Sequence, residues 1–149
     1  MTEVRFYHLQ RQPLDTALPK LLEKVLEAGL KAVVKVPDGD VLETLDAALW
    51  TYDPASFLPH GSARSGHERE QPVFLTTGDD NPADASVLVL VDGVAAPDID
   101  RYDRCLYMFD GRDDAVVARA RAYWSDLKDQ GVAMSYWQQR PNGGWEQKA

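Results

Sequence analysis

The residues with the clearest chemical content lie between Asp113 and Gln130. At about 100° per residue, Val116, Ala120, Tyr123 and Leu127 fall on one helical line, the face that should pack on a sheet. Asp114, Ala118, Ser125, Asp126 and Asp129 point largely away from it. A third stripe, Val117, Arg121, Trp124 and Lys128, runs between them at spacings of four, three and four. An indole flanked on one line by a guanidinium and an ammonium suits a peptide with an apolar tip and carboxylates. The ring offers apolar area, and the cations pair with acidic groups or a terminal carboxylate. The plainer reading has Arg121 and Lys128 solvated and Trp124 half buried against the following strand. On pattern alone the plainer reading is favoured.

Other chemistries find less support. A phosphate-binding turn needs glycines whose amides curl around the anion. No Gly-x-x-x-x-Gly-Lys-Ser/Thr is present, and the turn after the first apolar stretch reads Gln10-Arg11-Gln12-Pro13. His60, His67 and Glu68 are close in sequence, but they span a polar loop and not one helix face. His60 is expected in a packed corner and His67 in solvent, so no metal site is expected. Asp79, Asp80 and Asp84 lack the alternating ligands and terminal glutamate of a calcium loop. Cys105 sits in an apolar run, where burial keeps a thiol protonated. No catalytic residue and no cofactor are expected.

These side chains need elements to place them. Val4–Leu9 alternates apolar and polar residues and predicts a strand. Leu14, Leu18, Leu21, Leu22, Val25 and Leu26 make a helical stripe, with Asp15 or Thr16 as cap, Pro19 in the first turn and Gly29 as the stop. Ala32–Val36 is a short β-branched strand closed by Pro37. Asp40 and Glu43, a variant of the capping box, open a helix that runs to Trp50 and carries Leu45, Ala48 and Leu49 on one face. Asp53-Pro54 breaks this helix. Phe57 and Leu58 then return to a core before Pro59-His60-Gly61, which implies a shaped, packed corner. A polar loop over 61–71 leads to a strand at Val73–Leu75, and a turn-rich loop spans Gly78–Asp84. Val87–Val91 is a continuous apolar run, as a strand buried on both faces should be. A connector at Asp98–Arg101 and a strand at Cys105–Phe109 precede the helix Asp113–Gln130, which Gly131 closes. Ala133–Gln138 is the last strand, and Asn142-Gly143-Gly144 turns the chain before Trp145. Strands alternating with helices predict an α/β fold, a three-layer α/β/α sandwich on a mainly parallel central sheet.

Composition narrows the function classes. The 149 residues suit a single domain, with 44% hydrophobic and 27% charged residues, ordinary for a soluble globular protein. A net charge of −8 disfavours direct binding of nucleic acid, whose phosphates it would repel. A single cysteine fits a reducing cytoplasm, and no signal peptide or membrane-spanning run is apparent.

Leu45-Asp46-x-x-Leu49-Trp50, followed by Ser56-Phe57-Leu58-Pro59-His60, resembles the signature of the chi subunit of bacterial DNA polymerase III. The likeness extends to Phe6-Tyr7 in the first strand, Gln71-Pro72-Val73 after the polar loop, and Phe109-Asp110-Gly111 before the long helix. It implies a Rossmann-like fold without the phosphate loop and a non-catalytic accessory role at the replicative polymerase. It further implies binding of the acidic C-terminal tail of single-stranded DNA-binding protein, which ends in aspartates, an apolar tip and Phe. On that resemblance Trp124 takes the aromatic position and Arg121 and Lys128 two basic ones. Val117 and Ser125 stand where well-known members carry lysine, and Arg112 can supply a missing charge. The resemblance also implies a second surface for the psi subunit, which links to the clamp loader, or for an accessory helicase. The alternatives are a degenerate nucleotide-binding α/β protein and an adaptor for a DNA-repair helicase.

Overall fold

A computed structural model describes residues 2–9, 14–51, 60–62, 71–96, 99–141 and 144–149, with main chain alone at 14–16. The strands are β1 (Glu3–Leu9), β2 (Ala32–Lys35), β3 (Gly61–Ser62), β4 (Val73–Thr76), β5 (Val87–Val91), β6 (Arg104–Asp110), β7 (Ala133–Gln139) and β8 (Trp145–Gln147). The helices are α1 (Leu14–Glu27), α2 (Gly39–Thr51) and α3 (Asp114–Asp129), with a short 3-10 turn at Ile99–Arg101. All strands form one sheet in the order β3-β4-β2-β5-β6-β1-β7-β8. Every neighbouring pair is parallel except the β7–β8 hairpin. The fold is α/β, a mostly parallel sheet between helical layers.

Connection handedness explains the layers. Parallel strands joined through a crossover do so right-handedly, so the direction of travel along the sheet decides which face receives the helix. The steps β1 to β2 and β2 to β3 travel one way, and α1 and α2 lie on the same face. The step β6 to β7 travels the other way, and α3 lies on the opposite face. Period-two alternation feeds both cores. Tyr7 and Leu9 face α1 and α2, while Val4 and Phe6 face α3. The links β4 to β5 and β5 to β6 also run toward β7. Among the described residues they carry no α-helix, and Ala85 and Tyr102 from these links pack into the α3 side.

Local signals set the helix ends. α1 and α3 close with Gly29 and Gly131, each at φ +74. Leu30 N–H donates to Val25 O and Val132 N–H to Leu127 O, both at 3.1 Å, satisfying carbonyls that the helices leave open. Asp113 caps α3 through Oδ1, which accepts from Ala115 N at 3.1 Å and Val116 N at 3.3 Å.

Several expectations need correction. α2 is capped by Asp38, not Asp40: Val41 N–H donates to Asp38 Oδ1 at 2.9 Å. Asp15 and Thr16 lie inside α1, which has begun by Leu14, and Pro19 therefore sits in its second turn. Gly61–Ser62 opens the polar loop as a strand, and Trp145–Gln147 adds a strand after Ala133–Gln139, the stretch expected to hold the last one. The corner over residues 52–59, the turn Gln10–Pro13, and His67 with Glu68 lie outside the described residues. Around that corner, Trp50 is 52% exposed, with its ring 4.4 Å from the buried His60.

Candidate peptide-binding site

The exposed flank of α3 is where the four-residue stripe falls. Val116, Ala120 and Leu127 are buried against the sheet and Tyr123 packs beside them, as the periodicity predicts. Val117 and Trp124 are half-buried at the edge of that core, and Arg121 and Lys128 are exposed. The helix thus brings an apolar pair and two cations to one margin.

Trp124 rests on a platform built by two other strands. Its ring stands edge-on to Phe6 of β1, centroids 5.2 Å apart, and edge-on to Tyr136 of β7 at 5.8 Å. Phe6 and Tyr136 are near-parallel at 13°. Edge-to-face contacts of this kind hold a ring in place beyond what buried area alone does. Tyr136 is fixed in turn by His8, whose Nδ1 lies 2.5 Å from the tyrosine oxygen. Sequence reading missed His8, Phe6 and Tyr136 as parts of the site. The signal was partial: alternation puts Phe6 with His8 on one face of β1, and Met134 with Tyr136 on one face of β7.

Charge at this margin is positive. Burial pushes the His8 imidazole pKa down, and nearby Arg121 lowers it further against the opposing pull of Asp110. Burial raises the Tyr136 phenol, and Arg121 partly offsets that rise. His8 and Tyr136 are thus neutral near pH 7, and Arg121 supplies the local charge. Neither Arg121 nor Lys128 forms an ion pair among the described residues. Lys128 has a structural use as well, since it lies in the last turn where a cation offsets the helix dipole. Arg112 is placed differently. Its guanidinium forks onto Asp110, Nε to Oδ1 at 3.0 Å and Nη2 to Oδ2 at 3.1 Å, which holds the Asp110 carboxyl below the usual range. The structure therefore groups Val117, Arg121, Trp124 and Lys128, and engages Arg112 elsewhere.

Other chemistry-bearing residues have structural partners. Asp79 pairs with the buried Lys35 at 2.6 Å, and Asp80 accepts from Thr76 Oγ1 at 2.5 Å. His60 Nε2 lies 3.1 Å from Asp46 Oδ1. Burial drives the Cys105 thiol up to about 12. No group of three or more His, Cys, Asp or Glu among the described residues could hold a metal ion. No described helix is long and apolar enough to cross a membrane.

Residues 1–135 match the family described as DNA polymerase III chi subunit, HolC. The chain belongs to this family. A relative from Rickettsia prowazekii (strain Madrid E), described as a probable DNA polymerase III subunit chi, is 34% identical over 91 residues. That match takes in 61% of this chain and 55% of the relative, so the chain spans about half the length of the curated relative it matches. The family match covers α3 and ends within β7, one residue short of Tyr136.

Proposed function

We propose that this chain is a non-catalytic accessory subunit of the replicative DNA polymerase III assembly. In this role it binds the acidic C-terminal tail of single-stranded DNA-binding protein through α3 and links it to the clamp loader. The observation that carries the reading is the α3 margin, where Trp124 is propped on Phe6 and Tyr136 between the exposed cations Arg121 and Lys128. Family membership supports the replication role. A peptide ending in aspartates and Phe matches that margin, its apolar tip against Trp124 and Val117 and its carboxylates toward the cations. A docked psi subunit, or an accessory helicase in its place, would provide the link onward. Recognising a protein tail accommodates a net charge of −8, because a short acidic peptide need approach only the positive margin.

The test is titration of a fluorescent acidic peptide ending in Phe onto wild type, Trp124→Ala and Arg121→Ala. Wild type is expected to bind saturably and more weakly as salt rises. Each substitution should weaken binding by about tenfold or more, the size of effect that removing a central aromatic or arginine produces at an interface. Binding that survives both changes in folded protein would move the site elsewhere. Absence of binding at low salt would sink the tail-receptor reading.

A further inference from the structure

The opposite face of the sheet carries a cavity that the α3 reading leaves unused. Right-handed crossovers put α1 over β6 and α2 over β4 on this face, where Tyr7 of β1 also packs, and the β7–β8 hairpin forms its open end. What lies between α1 and this open end is a half-open groove of about 550 Å³, within the range of roughly 300–1,000 Å³ typical of ligand sites. Its floor holds the rings of Tyr7, Trp137 and Trp145, with Tyr7 and Trp145 edge-on at 5.0 Å. Trp137 and Trp145 are both half-buried, so each still offers apolar surface to the groove.

Its charge is one-sided. Lys20 and Lys24 stand one turn apart on α1, and Arg5 and Arg104 rise from neighbouring strands. No Asp or Glu is among the described residues that line it, in a protein with 24 acidic residues against 16 basic. Arg5 is held by Glu3, but Lys20, Lys24 and Arg104 form no ion pair with a described residue. Lys20, Lys24 and Arg104, gathered beside aromatic rings without ion-pair partners among the described residues, repel one another, and an anionic occupant relieves that cost.

We propose that this groove is a second docking site, for an acidic protein segment that seats a bulky apolar side chain between Trp137 and Trp145. The carboxylates of that segment would lie along Lys20 and Lys24. The two rings lie on the β7–β8 hairpin, beyond the residues matched by the chi family, whereas Lys20, Lys24, Arg5 and Arg104 lie within them. A peptide is favoured over single-stranded nucleic acid because the overall charge of −8 opposes a long polyanion more than a short segment.

Four tryptophans give four indole N–H signals, each assignable by Trp→Phe substitution. The probe is the peptide acetyl-Glu-Asp-Glu-Phe-Leu-Glu-Asp-Glu-amide, whose blocked end cannot imitate a C-terminal carboxylate. Titrated onto the ¹⁵N-labelled full chain at low salt, it should shift the Trp137 and Trp145 signals saturably. The double variant Lys20→Glu/Lys24→Glu, with both changes on the exposed side of α1, should weaken binding by about tenfold or more. Arg121→Glu should leave these shifts in place, which separates this groove from the α3 margin. No shift at either indole up to about 1 mM peptide would overturn the proposal. So would shifts confined to Trp124, or shifts that survive the charge reversal. An oligothymidylate that moves both signals while the peptide does not would assign the groove to nucleic acid instead.

Discussion

Replacing Gly111 by alanine should damage the fold through a single ring. Gly111 follows β6, and its N–H donates to Leu9 O at 2.8 Å, tying the ends of β1 and β6. A Cβ there would fall inside the van der Waals envelope of His8 Nε2 and Cδ2, and 2.9 Å from Leu9 O. The carbonyl is fixed by the sheet, so the ring must retreat. Moving it gives up the 2.5 Å contact of His8 Nδ1 with the Tyr136 hydroxyl, about 1 kcal/mol. It also gives up the packing on Phe109, whose centroid is 4.9 Å away, about 0.5–1.5 kcal/mol. Roughly 2 kcal/mol follows from His8, with further crowding from Leu9, in the range measured for overpacked sites. For a domain of this size that is a fall in Tm of about 4–8 °C. The assay is thermal denaturation followed by circular dichroism on wild type, Gly111→Ala, His8→Ala and the double variant. In the Gly111→Ala background, removing the imidazole should cost little more, because the contacts it made are already lost, so the double variant should melt close to His8→Ala. Were Gly111→Ala to melt within about 1 °C of wild type, or the losses of the two single variants simply to add in the double variant, the His8 account would be wrong.

Other substitutions test the frame around the site. Asp113→Ala removes the acceptor for Ala115 N and Val116 N and should cost about 1 kcal/mol in a denaturant titration, while Asp113→Asn keeps most of the cap. Asp92 is raised above the usual carboxylate range by burial, then by Asp110, Asp113 and Asp38. With its folded pKa raised, the unfolded chain releases that proton first, so stability falls as pH climbs from the ordinary value of about 3.9 through the folded one. Asp92→Asn should therefore stabilise the protein at pH 7 and lose its advantage at about pH 3, and asparagine accepts the φ of +54. Cys105 is fully buried and its thiol is pushed up to about 12, so a disulfide reagent at mildly alkaline pH should label it only at the rate of unfolding.

The sequence exposed what is local and hid what is not. Val87–Val91 was readable as a strand buried on both faces because five apolar residues need no partner to be recognised. α3 was readable to within a residue at each end, since Asp113 and Gly131 mark its limits by their own chemistry. The cap of α2 was misread by two residues, because Asp38 and Asp40 offer the same carboxylate and only the backbone decides between them. β8 was missed because a three-residue strand shows no periodicity. The platform under Trp124 was missed for a deeper reason. Phe6, His8 and Tyr136 meet only because β1 lies between β6 and β7, and strand order is set by crossovers that no short window of sequence contains.

That central place of β1 has a consequence for biosynthesis. The ribosome releases β1 well before its two hydrogen-bonding partners, which begin at Arg104 and Ala133. Until both emerge, Val4, Phe6 and Leu9 are an apolar ribbon with unpaired edges on a nascent chain, open to chaperones and to mispairing. A polypeptide stalled between α3 and Tyr136 carries Trp124 but lacks one of the two rings on which it rests. The α3 margin proposed to bind the tail would then be complete only after translation has passed Tyr136.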